Sequence, residues 1–167
     1  EAIRKIGGNA LLMRVGALYH DIGKTGAPAF FIENQSGRSP HEGMPYDKSA
    51  EAIIQHVYYG MELAKKHKMP QVVADFIPTH HGTGLVKYFY TKYVNDNPEL
   101  TVDLSKFSYP GPSPFTKETA VLMMADSVEA ASRTLKEYNE KSIDGLVEGI
   151  INNQIEDGQF LEADITF

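Results

Sequence analysis

The chain has 167 residues and no cysteine. That excludes disulfides and thiolate metal sites, so any metal bound here must sit on His, Asp or Glu. No run of about eighteen apolar residues occurs, and nothing in the chain is expected to span a membrane. No signal peptide is apparent, because Glu1 opens directly into a helix-like pattern. Positive charge is scarce as well, with 16 Lys and Arg against 22 Asp and Glu for a net charge of −6. Such a balance argues against binding long DNA or RNA, which needs a basic footprint. It leaves room for a small anionic substrate, since bound divalent ions reverse the sign locally.

Strand alternation and internal repeats are also missing, and the length suits one domain over residues 1–167. The expected fold is all-α. Leu11, Leu12, Val15, Leu18, Tyr19 and Ile22 predict a helix from Ala10 to Ile22, stopped by Gly23. A second helix is predicted from about Ser49 to Lys66. A third runs through Val72, Val73, Phe76 and Ile77 into His80-His81, with Pro78 as a kink and Gly82 as a cap. Leu85 to Tyr93 suggests a short helix, Lys117 to Glu137 a long one after Ser113-Pro114, and Ser142 to Asp157 the last, ended by Gly158. Two stretches, Thr25–Asp47 and Asn95–Pro114, are long enough without a helical pattern to be read as functional walls.

What is abundant is imidazole and carboxylate at telling places. His20-Asp21, in LYHDIGK, is followed by His56, by His80-His81, and by Asp126. Divalent metal ions make sense of all six together. Neighbours on a helix point about 100° apart, so His20 and Asp21 serve one site only if it lies off the helix end. Asp21, with two oxygens, is able to bridge two ions. A lone His56 reads as a core or surface residue, and only its companions turn it into a ligand. Asp126 lies in AVLMMADSVEAA, apolar on nearly every side, where a bare carboxylate costs several kcal/mol without compensation. Glu129 and Arg133, one helical turn apart, read as a supporting pair. Lys24 is close enough to the HD pair to reach a phosphate oxygen. His41 could touch substrate, though nothing requires it, and His67, in KKHK, reads as a solvated face.

These residues, with HDIGK, FFIENQ, HHGTGLVKYFY, YPGP and ADSVEAASR around them, resemble the HD-domain phosphohydrolases. The likeness extends from about Leu11 to Phe160. It is most specific to the cytosolic HD domain of the seven-transmembrane HD proteins, which include the PgpH-type cyclic di-AMP phosphodiesterases. The resemblance implies a helical bundle with long loops around a dinuclear site. His20, Asp21, His56, His80, His81 and Asp126 would be its ligands, with Asp21 bridging two divalent ions, Mn or Fe. It implies hydrolysis of cyclic di-AMP to linear pApA by a metal-activated bridging hydroxide, with Asp21 and Lys24 in the catalytic machinery. Phe30, Phe31, Tyr88, Tyr90 and Tyr109 are candidate base-stacking residues, and Glu33, Asn34 and Gln35 candidate edge partners. It also implies a cytosolic domain of a membrane protein. No membrane contact is required of this domain, and a homodimer is left open.

The family's first histidine ligand lies upstream of the HD pair, and EAIRKIGGN contains none. The expectation is an N-terminally truncated domain with one metal under-coordinated. Other readings are an HD phosphohydrolase of cyclic di-GMP, a dNTP or a guanosine polyphosphate, and a non-catalytic nucleotide sensor. GTGLVKYFY lacks the Gly-Tyr-Pro word that a cyclic di-GMP enzyme would carry after the double histidine.

Overall fold

The computed structural model describes residues 1–166, and it is all-α among them. The helices are α1 (Ala2–Lys5), α2 (Ala10–Tyr19), α3 (Tyr46–Lys66), α4 (Gln71–Ala74), α5 (Phe76–Thr79), α6 (Lys87–Asp96), α7 (Lys117–Ser132) and α8 (Glu140–Glu156). Short 3-10 turns cover Ile22–Gly26, Pro28–Phe30, Ile32–Asn34 and Leu104–Lys106. The sole β-type pairing among the described residues is an isolated bridge between Leu85 and Ser108. Among the described residues no helix is long and apolar enough to cross a membrane.

The element ends have local causes. Asn9 caps α2 by accepting from the amides of Leu11 and Leu12. α2 stops at Tyr19 rather than Ile22, and the chain tightens into a 3-10 turn in which Gly23 is buried against α3. Any Cβ on Gly23 would collide with the His56 carbonyl and the Gly60 nitrogen. This near-contact of two backbones draws the HD segment onto the middle of α3. Leu11, Leu18 and Tyr19, whose spacing helped to predict the helix, are exposed. Gly16 is the inward point instead, where the Phe76 ring leaves no room for a side chain.

Pro78 explains the break between α4 and α5. It has no N–H for the Ala74 carbonyl four residues back, and its ring would clash with it; α4 ends at that residue. α7 begins at a capping box of Thr116 and Thr119, and α8 at one of Asn139 and Ser142. α7 ends five residues before Glu137, where the hydroxyls of Ser132 and Thr134 bond to the carbonyls of Glu129 and Ala131.

One apolar cluster joins Ala50 and Ile54 of α3 to Val86, Phe89 and Phe107. Another joins Ala120 and Met123 of α7 to Phe160. Val57, Phe76 and Ile77 are also buried, next in sequence or within a turn of His56 and His80. The stretch Thr25–Asp47 is ordered by buried Phe31 and by His41. The His41 Nε2–H donates to the Phe30 carbonyl at 3.0 Å, and its ring lies 4.7 Å from that of Phe89.

Candidate metal centre

Four segments that are remote in sequence deliver the six expected ligands to one place. His20 caps the C-terminal end of α2, and Asp21 follows where the backbone leaves α-geometry. His56 projects from the middle of α3, and His80 and His81 follow α5. Asp126 comes from α7. The ligand atoms fall into two sets, His56 with His80 and His81, and His20 with Asp21 and Asp126. Asp21 lies between the sets. Its Oδ1 is 3.5 Å from Nε2 of both His56 and His80, while its Oδ2 is 3.2 Å from His20 Nε2. Asp126 faces His20 Nε2 at 3.5 Å and His81 Nδ1 at 3.8 Å. It is not sealed in the core as its apolar flanks suggested; with 18% of its side chain exposed, it opens onto a cavity.

The backbone fixes three of the imidazoles. His20, His56 and His80 each place Nδ1 against the carbonyl three residues back, at Ala17, Ile53 and Ile77, at 2.9, 2.6 and 2.7 Å. A carbonyl only accepts, so each Nδ1 carries a proton, and each Nε2 is free to turn its lone pair toward the centre. His56 and His80 Nε2 stand 3.2 Å apart. His20 Nε2 and Asp21 Oδ1 are shielded from solvent without a hydrogen-bond partner. Lone pairs of nitrogen and carboxylate oxygen pressed together in this way call for a cation between them. The backbone-oriented histidines and carboxylates are a donor set suited to divalent ions.

The electrostatics agree. Burial alone would lower the His20 pKa, but the Asp126 and Asp21 carboxylates that face its Nε2 raise it from 6.5 to about 10. In the metal-free protein an imidazolium at His20 thus stands where a cation is wanted. Burial and then the His56 charge push His80 down to about 4. Burial is also the main cause that lowers His56 and His81. For Asp21, burial pulls upward, yet His20, His80 and Lys24 hold it well below the usual carboxylate range. Lys24 reaches both Asp21 Oδ2 and Glu33 Oε1 at 2.7 Å. Burial opposes its charge, but those two carboxylates outweigh it and raise its pKa.

A cavity of about 450 Å³ opens over the ligands. Phe31, Ile53, Tyr109 and Leu122 supply its apolar wall. Its charged lining includes two cations, Lys24 and Arg133, and four carboxylates, Asp21, Glu33, Asp126 and Glu129. The Tyr109 ring stacks on His81 with centroids 4.1 Å apart. A neighbouring cleft of about 570 Å³ shares His81, Tyr109, Asp126 and Ala130 and is also lined by Tyr88. Of the eight residues expected at substrate, Phe31, Glu33 and Tyr109 line the metal cavity, and Tyr88 lines the adjoining cleft. Phe30, Asn34, Gln35 and Tyr90 line neither. Phe30 packs on His41, Gln35 bonds to the Phe30 carbonyl, Tyr90 packs on Phe107 in the first apolar cluster, and Asn34 is exposed. Ile53 and Leu122 escaped the sequence reading, since helical apolar residues look alike whether they face core or cavity. Arg133 was legible as a partner of Glu129 and not as part of the cavity wall. Its second neighbour, Glu33, 3.8 Å away, is far off in sequence.

Residues 1–131 match the HD domain family. The chain is 44% identical over 167 residues to the Cyclic-di-AMP phosphodiesterase PgpH of Bacillus subtilis, covering 99% of this chain and 23% of that protein. It is 46% identical over 163 residues to the protein of the same name from Listeria monocytogenes, covering 97% and 22%. It thus spans less than a quarter of the length of these relatives. The crystal structure of the L. monocytogenes phosphodiesterase PgpH HD domain in complex with cyclic-di-AMP superposes with a TM-score of 0.92. That match has 45% identity and covers 98% of this chain and 76% of that one. The chain belongs to the HD domain family.

Proposed function

We propose that this domain hydrolyses cyclic di-AMP to linear pApA at a dinuclear metal centre. The observation that carries the reading is Asp21, whose two oxygens face two separate ligand sets beneath a cavity of nucleotide-binding size. The names of the relatives, and the cyclic-di-AMP in the similar structure, support the choice of nucleotide. His56, His80 and His81 would hold one ion, His20 and Asp126 the other, and Asp21 both. Mixed imidazole and carboxylate ligands suit Mn or Fe. When bound, two divalent ions supply an acidified water as nucleophile and positive charge for the phosphoryl oxygens.

The protein's own groups do the rest. The three backbone carbonyls behind His20, His56 and His80 fix ring orientation, so the centre is assembled before substrate arrives. Lys24, kept charged by its two carboxylates, offers a fixed positive charge to a substrate phosphate rather than shuttling a proton. Phe31 and Tyr109 offer apolar surface to one base, and the cleft bordered by Tyr88 and Tyr109 takes the other. Phe30, Asn34, Gln35 and Tyr90, off both walls, would act through the loop and core that shape them. In its parent protein the domain would lie on the cytosolic side of the cell membrane.

Product analysis tests the reading. Mn-loaded protein given equal cyclic di-AMP and cyclic di-GMP should convert cyclic di-AMP preferentially to pApA, and Asp21→Ala should convert neither. Equal or reversed preference, or turnover that persists in Asp21→Ala, would overturn it.

A further inference from the structure

The charges around the cavity do not match its proposed substrate as they stand. A cyclic dinucleotide carries two phosphodiesters, held a short distance apart by its macrocycle, and only one lies at the metals in a given turnover. The other needs a cation. The lining offers Lys24 and Arg133, and both are already engaged by carboxylates. Arg133 is forked on Glu129 one helical turn back, with Nη2 at 2.8 and 3.1 Å from its two oxygens. Its Nη1 faces Glu33 Oε2 at 3.8 Å, while Glu33 Oε1 accepts from Lys24 at 2.7 Å. One carboxylate from the loop thus bridges the two cations across the cavity mouth. Lys24 links it directly to Asp21 at the metal centre.

The bridge is unequal in how firmly it is built. Glu129 and Arg133 share α7 and its continuation, and seven residues separate Arg133 from Asp126, two turns or roughly 10 Å along one helix face. Glu33 rides instead on the three-residue turn Ile32–Asn34, which has no side-chain cap and whose Ile32 is 71% exposed. Its own side chain is 34% exposed, so it has only to swing into water to let go. Carboxylate and phosphate present the same acceptor geometry to Lys and Arg.

We infer that Lys24 and Arg133 form a subsite for the non-scissile phosphate of the cyclic dinucleotide, and that Glu33 occupies it as a displaceable anion until substrate arrives. This rests on the proposed cyclic dinucleotide activity. It makes Arg133 a substrate-binding residue and Glu33 a competitor of the substrate rather than a contact.

The test uses the Mn-loaded chain with two probes. One is the hydrolysis-resistant phosphorothioate analogue of cyclic di-AMP, read as Kd by calorimetry. The other is bis(p-nitrophenyl) phosphate, a diester with a single phosphate, read as kcat/KM. Arg133→Gln should weaken the analogue about tenfold, the equivalent of one charge-assisted hydrogen bond, and affect the single-phosphate diester several-fold less. Glu33→Gln should tighten the analogue about threefold, because a neutral amide competes less well for the two cations. Weaker binding in Glu33→Gln would overturn the inference, as would an equal loss on both probes in Arg133→Gln. Failure of the unaltered chain to bind the analogue while it cleaves the single-phosphate diester would instead remove the cyclic dinucleotide reading, and the subsite with it.

Discussion

His20 is the imidazole whose proton matters most. With its pKa raised to about 10, it is protonated in the metal-free protein at neutral pH, whereas His80, lowered to about 4, is not. His56 and His81 are lowered too and are neutral there. A metal ion must take the lone pair that the His20 proton holds. Binding of Mn at pH 7 should therefore release about one proton, and a His20→Ala variant that still binds an ion at the other ligand set should release close to none. Calorimetric titration in two buffers of different ionisation enthalpy measures that number directly. Release of three or four protons would mean that the buried imidazoles are charged before loading, against their surroundings. The six candidate ligands stood out in the sequence because histidine and aspartate are scarce in apolar helices. The tautomers were not, since they depend on carbonyls whose direction only the folded helices set.

The 3-10 turn Ile22–Gly26 and α3 form the junction on which the centre depends. Gly23 was expected as a helix stop, a role that tolerates other small residues at modest cost. Its actual constraint is the absence of room beside the His56 carbonyl. Gly23→Ala should destabilise the fold by about 3 kcal/mol, at the upper end of overpacking costs, and weaken metal affinity along with it by moving Asp21 off His56. Thermal unfolding with and without Mn reads both effects; an unchanged Tm would disprove the close approach. Helix identity was clear in the sequence because the apolar spacing was helical throughout. Several ends were not, because they follow from contacts between elements: Gly16 against Phe76, and Gly23 against α3. The candidate stacking aromatics show the same limit: Phe31 borders the cavity, whereas Tyr90, on α6, packs against Phe107.

Ions bound by four separate segments of chain act on the stability of the molecule as a whole. Metal at about a hundred times its Kd adds about 2.7 kcal/mol to the folded state, which for a domain of this size raises Tm by roughly 5 to 10 °C. A chelator should reverse the gain. The metal-free protein should also lose stability as pH falls from 6.5 toward 4. His80 is held neutral there while its unfolded counterpart takes a proton, so the unfolded state binds more protons and is favoured. His20 works in the opposite sense, its contribution fully present below pH 6.5 and lost progressively as pH rises through about 10. Unfolding scans of chelated protein at pH 6.5 and 5, where the His20 contribution is constant, should show the acid loss, and a flat profile would contradict the buried neutral His80. The two ligand sets also differ in how much chain they need. His56, His80 and His81 belong to the connected stretch from α3 through α5, and two of them are buried. The other set closes only when α7 brings Asp126 to a pair more than a hundred residues earlier, and all three of its members are partly exposed. Loosening α7 would open the set of His20, Asp21 and Asp126 and leave the three histidines in place, so ions held by the two sets would exchange one at a time.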